Sequence, residues 1–253
     1  MPHSNRSYLT ALGIPSWRRR GLAPSAGQTS DDPLLAGEQT PSLSNREERK
    51  PNSPSITDSQ APDAALLRIK AAVERCTRCD LHRTRNRTVF GVGGVEAHCM
   101  LIGEAPGAEE DRQGEPFVGR AGKLLDAMLN AIGFRRDQVY IANMIKCRPP
   151  GNRDPQDIEI RSCADYLAQQ IDEISPRMLV AVGRIAAQRL LSTTEPMGRL
   201  RGRIHRHEPT GLPLLVMYHP AYLLRRPREK GKAWQDLLML HSTLEGSASP
   251  DLS

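Results

Sequence analysis

The stretch His98-Cys99-Met100-Leu101-Ile102-Gly103-Glu104-Ala105-Pro106-Gly107 decides the fold. From Cys99 to Ile102 it is an unbroken apolar run, and it then breaks into a turn rich in glycine and proline. A strand that is apolar on both sides has no solvent face, so it belongs in a sheet covered above and below. Three more runs have the same character: Gln138 to Asn143, Met178 to Val182 and Leu214 to Met217. Helical periodicity lies between and after them, over 122–132, 155–174, 184–191 and 232–244. Strands alternating with helices give an α/β protein, expected here as a three-layer α/β/α sandwich around a four-stranded parallel sheet. In such sheets the ligand crevice lies outside the carboxyl ends of the strands. The unusual residues fall there. Gly103 to Gly107 follow the first strand, Asn143 ends the second, Gly183-Arg184 follow the third and Tyr218-His219-Pro220 follow the fourth.

Outside this core the composition changes. The spacing predicts an amphipathic helix over Ala64 to Val73, running into Cys76. Residues 23–62 are rich in Ser, Pro, Gln, Asp and Thr, a mixture unable to bury enough apolar surface to offset its ordering entropy, and are expected to form a disordered linker. The folded domain is expected at 63–245, with a small polar tail at 246–253 and a separate short segment at 1–22. The chain of 253 residues carries a net charge of +6, which suits a polyanionic partner because neutralised phosphates release counterions. No run approaches the length of a membrane span, and the N-terminus lacks the apolar core of a signal peptide, so a cytoplasmic monomer with no membrane partner is expected.

Five cysteines in such a chain favour metal ligation or free thiols over disulfides. Cys76-Thr77-Arg78-Cys79 is a C-x-x-C that follows a helix, unlike the strand–C-x-x-C–helix order of redox motifs. With Cys147 and Cys163 it makes two sequence-distant pairs, suited to a thiolate site for zinc or an iron–sulfur cluster. Buried apolar packing of Cys147 and Cys163 is the plainer alternative. Cys99 sits mid-strand and reads as core.

The loops carry further candidates. Gly103 to Asp111 packs glycines and carboxylates into a strand-to-helix turn, without the Gly-Lys-Ser/Thr of a phosphate-binding loop. Gly114-Glu115-Pro116-Phe117-Val118-Gly119-Arg120-Ala121-Gly122 places one of three phenylalanines in a polar loop, either as core or as a platform for a nucleobase. Asn143 offers a donor and an acceptor together, matching the edge of a pyrimidine. Basic residues cluster at Arg199, Arg201, Arg203, His205 and Arg206, and again from Arg225 to Lys232. The second cluster directly follows His219 and is suited to phosphate.

Together these residues resemble the family 4, iron–sulfur-containing uracil-DNA glycosylases. The resemblance runs from about Leu66 to Leu244. It rests on Cys76-x-x-Cys79, Gly103-Glu-Ala-Pro-Gly, Pro116-Phe-Val-Gly-Arg-Ala-Gly122, Asn143-x-x-Lys-Cys-Arg-Pro-Pro-x-Asn-Arg153, Cys163 and His219-Pro-Ala-Tyr-Leu-Leu-Arg225. It implies a structural [4Fe-4S] cluster on Cys76, Cys79, Cys147 and Cys163, and release of uracil from uracil-containing DNA. Gly103, Glu104 and Ala105 would line the base, Phe117 would stack on it, Asn143 would pair with its edge and His219 would hydrogen-bond O2. Leu223, Leu224 and Arg225 would enter the duplex, with Arg201 and Arg203 on the DNA surface. Another branch of that superfamily carries an Asp where Ala105 stands, so either Glu104, Glu110 or Asp111 positions the water, with Glu110 favoured, or the reaction is largely dissociative and needs little help from a base. A non-catalytic relative is the alternative. A DNA-crosslinking one, using His205 in Arg203-Ile204-His205, is disfavoured because its histidine belongs earlier in the chain. Residues 5–20, with Tyr8, Leu9, Leu12, Ile14 and Trp17 ahead of Arg18 to Arg20, resemble the peptide by which the psi subunit of bacterial DNA polymerase III grips chi. They are expected either to dock on a replication protein or to be a basic tail.

Overall fold

The computed structural model describes residues 61–246. The expected docking segment at 1–22, linker residues 23–60 and tail residues 247–253 lie outside the described residues. In chain order the elements are α1 (Ala61–Glu74), β1 (Val92–Gly93), β2 (Cys99–Gly103), α2 (Ala108–Gln113), α3 (Arg120–Ala131), β3 (Tyr140–Asn143), α4 (Asp157–Ile174), β4 (Met178–Val182), α5 (Arg184–Leu190), α6 (Met197–Leu200), β5 (Ile204–Arg206), β6 (Pro213–Met217), α7 (Pro220–Arg225) and α8 (Lys230–Gly246). Helix α1 starts three residues before the expected Ala64. Pro62 does not prevent this, because the first helical turn has no use for its missing N–H.

The four expected strands pair in parallel in the order β3-β2-β4-β6. Two short antiparallel strands extend them to six, β1 on the outer edge of β3 and β5 on the outer edge of β6. Side chains alternate between two cores, as the two-residue period of a strand demands. Met100, Ile102, Tyr140, Ala142, Leu179 and Ala181 pack with Leu66, Ile69 and Val73 of α1, Tyr166 and Ile171 of α4, and Ala186 and Leu190 of α5. Cys99, Leu101, Ile141, Val180, Val182 and Leu215 pack on the other side with Leu125 and Met128 of α3 and Leu237 and Leu240 of α8. Every residue of β2, β3 and β4 is buried, which is why these strands read as continuous apolar runs.

Candidate active site

A cleft of about 830 Å³ opens at the carboxyl ends of the parallel strands. Glu104, Ala105, Phe117, Asn143 and His219 all line it, so five residues singled out in the sequence meet in one place. Gly103 is buried beneath them. A Cβ built on it would lie 2.4 Å from Asn143 Oδ1 and 2.9 Å from the Phe117 ring, so only glycine permits their approach. The rings of Phe117 and His219 stack with centroids 5.4 Å apart and planes 28° apart. Gly183, at φ 100°, links β4 to α5, and an added Cβ there would stand 3.0 Å from His219 Cβ.

His219 caps α7: its Nδ1 accepts a hydrogen bond from the Ala221 N–H at 3.1 Å. A neutral imidazole whose Nδ1 accepts carries its proton on Nε2. Burial, reinforced by the Arg225 charge and opposed by Glu110, pushes His219 down to about 4. The ring is therefore a neutral donor at physiological pH.

Phe117 holds a left-handed backbone, φ 53°, in the loop before α3. Glu110 secures that loop: Oε1 accepts from Val118 N–H at 3.0 Å and from Gly119 N–H at 3.1 Å. Glu110 also lines the cleft. Asp111 turns away from it and is buried, accepting from the backbone and side-chain amides of Asn86 at 2.9 and 2.5 Å. Glu104 is pushed up to about 7 by burial first and by the Asp154 charge second, with Arg184 opposing. It is thus a carboxyl group poised to exchange a proton near neutrality.

The residues expected at DNA divide. Leu224 and Arg225 are exposed, and Arg225 lines the cleft. Leu223 is 1% exposed and packs into the core with α3 and α8, because neighbouring residues of a helix point about 100° apart and Leu223 falls on the inner side of α7. Arg203 is exposed and lies 3.7 Å from Glu195. Arg201, expected on the DNA surface, instead turns inward. It forms a two-pronged pair with the buried Asp236, Nε to Oδ2 at 3.0 Å and Nη2 to Oδ1 at 2.8 Å, and its guanidinium lies over the Tyr218 ring. His205 is held on β5 by the Leu200 carbonyl at 2.6 Å and is not among the residues lining the cleft.

Cys76, Cys79, Cys147 and Cys163 line a second, smaller cavity, together with Arg85 and Lys146. None of the four is in a disulfide, and burial raises Cys79, Cys147 and Cys163 above the ordinary thiol range. Each of these three also feels the charge of at least one other cysteine of the set. Arg85 donates to Cys147 Sγ at 3.1 Å. Four soft donors around one cavity, with the guanidinium groups of Arg78 and Arg85 on its wall, fit a thiolate-held metal cluster. Among the described residues, no group of His, Cys, Asp and Glu closes around a single metal ion.

A family model described as the uracil DNA glycosylase superfamily matches residues 90–238. A type-4 uracil-DNA glycosylase of Archaeoglobus fulgidus is 46% identical over 166 residues, covering 63% of this chain and 83% of the relative. One from Pyrobaculum aerophilum is 40% identical over 180 residues, covering 69% and 92%. The chain belongs to the uracil DNA glycosylase superfamily, in its type-4 branch. A type-5 enzyme of Thermus thermophilus is more distant, 31% identical over 171 residues and covering 60% of this chain and 76% of the relative. The rest of the cleft wall includes Arg184 and Tyr218, which the sequence set at the ends of β4 and β6, together with Tyr222, Asn152 and Asp154; of these only Asp154, in the loop after Pro149, was not singled out in the sequence. Arg184 and Asp154 pair at 3.0 Å, and Tyr218 and Tyr222 have ring centroids 4.9 Å apart. The signal for the loop was the Pro149-Pro150-Gly151-Asn152 turn, where Gly151 and Asn152 take positive φ.

Proposed function

We propose that this chain hydrolyses the N-glycosidic bond of a deoxyuridine flipped out of DNA, releasing uracil and leaving an abasic site for base-excision repair. The observation that carries this reading is the meeting of Phe117, Asn143 and the neutral His219 above Gly103 at the strand ends. Phe117 supplies a face for the base, and Asn143 supplies a donor and an acceptor for its edge. As the N1–C1′ bond breaks, its electron pair passes to the uracil ring. His219 Nε2–H then donates to O2, where negative charge accumulates. A neutral donor suits this role because it keeps its proton while stabilising the charge.

Water adds its oxygen to C1′ and loses a proton. Glu104, held near 7 in the cleft, is the carboxylate we assign to that water. Glu110, favoured from the sequence, has one oxygen committed to two backbone amides, and we assign it to holding the Phe117 loop. We assign Leu224 and Arg225, the exposed residues of α7, to the DNA beside the flipped nucleotide. We also assign a [4Fe-4S] cluster to Cys76, Cys79, Cys147 and Cys163. When bound, it supplies a cross-link between the end of α1, the segment after β3 and α4. Residues 5–20 are proposed to dock a replication protein, and the protein is read as a cytoplasmic monomer; among the described residues no helix is long and apolar enough to cross a membrane.

The test is incubation with single- and double-stranded oligonucleotides bearing one uracil, followed by alkaline cleavage. Scission at the uracil is expected. Binding without scission would replace this reading with that of a non-catalytic binder. Pull-down of the chi subunit by the full chain, lost on deleting residues 1–22, tests the docking segment; pull-down unchanged by the deletion would refute it.

A further inference from the structure

Lys146 is 1% exposed and stands between the two cavities. It follows Asn143 by three residues and immediately precedes Cys147. Between them the chain bends away from β3 but stays tied to the end of β2, with Met144 N–H donating to the Gly103 carbonyl at 2.9 Å and Ile145 N–H to the Glu104 carbonyl at 3.4 Å. The Lys146 side chain folds back along this segment. Its Nζ donates to the Asn143 carbonyl at 2.8 Å and to Gln170 Oε1 at 2.5 Å. Gln170 is itself fixed, because its Nε2 donates to the Phe90 carbonyl and to Tyr140 Oη, both at 3.0 Å. Gln170 and Cys163 lie seven residues apart on the same helix, on one face. The same Lys146 lines the cysteine cavity.

We infer that Lys146 is a positioning residue, a strut that joins the cysteine cavity and α4 to the base-recognising Asn143. This inference rests on the uracil-excising reading of the cleft. A hydrogen bond to the Asn143 carbonyl fixes the peptide that aims its side chain, and the Gly103 contact leaves that side chain little room. Packing alone does not explain a fully enclosed lysine, since an unbranched apolar side chain would fill the same volume without a buried nitrogen to satisfy. The arrangement couples the two cavities: material held on Cys147 and Cys163 braces both ends of the strut, on the β3 side and on the α4 side.

The test is a double-mutant cycle in the full-length, iron-loaded protein. Lys146→Met keeps length and removes the donor. Visible absorbance and iron content are read first, then inhibition by free uracil and the single-turnover excision rate. Lys146→Met is expected to retain iron, to weaken uracil inhibition about tenfold and to slow excision about tenfold, a displacement of the kind that small misplacements produce. In an Asn143→Ala background the same substitution is expected to change either quantity by less than about twofold, because the strut acts only through Asn143. Lys146→Met matching the wild type in uracil inhibition and rate would overturn the inference, as would equal losses in both backgrounds. Should Lys146→Met fail to fold or lose iron, Gln170→Met removes the far anchor, with the same losses expected and the same result overturning it. A wild type that excises no uracil would instead refute the reading of the cleft.

Discussion

Replacing Glu110 separates a clamp from a catalytic base. Its Oε1 receives the Val118 and Gly119 amides, the last two before α3, at 3.0 and 3.1 Å. Hydrogen bonds to a charged group contribute roughly 1.5–3 kcal/mol each, and partial solvation here places both near the lower figure. Together they hold the Phe117 loop by about 3 kcal/mol, offsetting the order of 1 kcal/mol or more that a left-handed phenylalanine costs. Glu110→Ala frees both amides, so kcat/KM for a uracil oligonucleotide should fall about a hundredfold, at roughly 1.4 kcal/mol per factor of ten. Glu110→Gln keeps a carbonyl oxygen that accepts the same amides at about half the strength, and should stay within about tenfold of wild type. Single-turnover excision measures both, with inhibition by free uracil reporting the loop directly. If Glu110→Gln were as impaired as Glu110→Ala, the charge itself would be needed and the clamp reading would fail. A near-normal Glu110→Ala would refute it as well.

Other outcomes follow from the same geometry. His219→Ala removes a donor aimed at developing charge and should lower kcat by about 10²–10³, with DNA affinity retained in a binding assay. Glu104 must be ionised to take a proton, so excision should rise with pH through about 7. Glu104→Gln should remove that limb, and a surviving inflection near 6.5 would mean that His219 is not held low by burial. The stability sign is opposite. Folded Glu104 keeps its proton between its ordinary pKa and about 7, so wild-type stability falls as pH rises through that window. The Tm advantage of Glu104→Gln should accordingly be larger at pH 8 than at pH 4.5. Arg201→Ala strands the Asp236 carboxyl in the core and should cost roughly 3–5 kcal/mol in denaturant unfolding, leaving the salt dependence of DNA binding unchanged. Chelation that strips iron should lower Tm and expose the α1 junction to proteolysis, whereas unchanged stability would remove the cluster's structural role.

The four parallel strands were legible because burial on both faces writes itself as continuous apolar runs, as in Met178 to Val182. Strands β1 and β5 were not. Two residues, Val92 and Gly93, carry no period, and Ile204-His205-Arg206 pairs on one edge only, with two of its three side chains exposed. Asn143 and His219 stood out because strand ends in such sheets are where ligands bind, and Phe117 because it is an aromatic in a polar, glycine-rich loop; all three line the cleft. The fates of Arg201 and Leu223 were hidden. A basic run does not say which arginine meets a buried carboxylate from a helix far along the chain, and a six-residue helix does not announce which of two adjacent leucines faces inward. The role of Glu110 was hidden for a related reason: its partners are backbone amides, which leave no trace in side-chain pattern.

The most direct measurement is chromatographic detection of the free base released from a duplex carrying a single deoxyuridine, beside duplexes carrying thymidine or deoxycytidine at the same position. Stoichiometric uracil and an intact, alkali-labile strand are expected, with no base released from the other two. Retained DNA binding with no free uracil would contradict the uracil-excising reading.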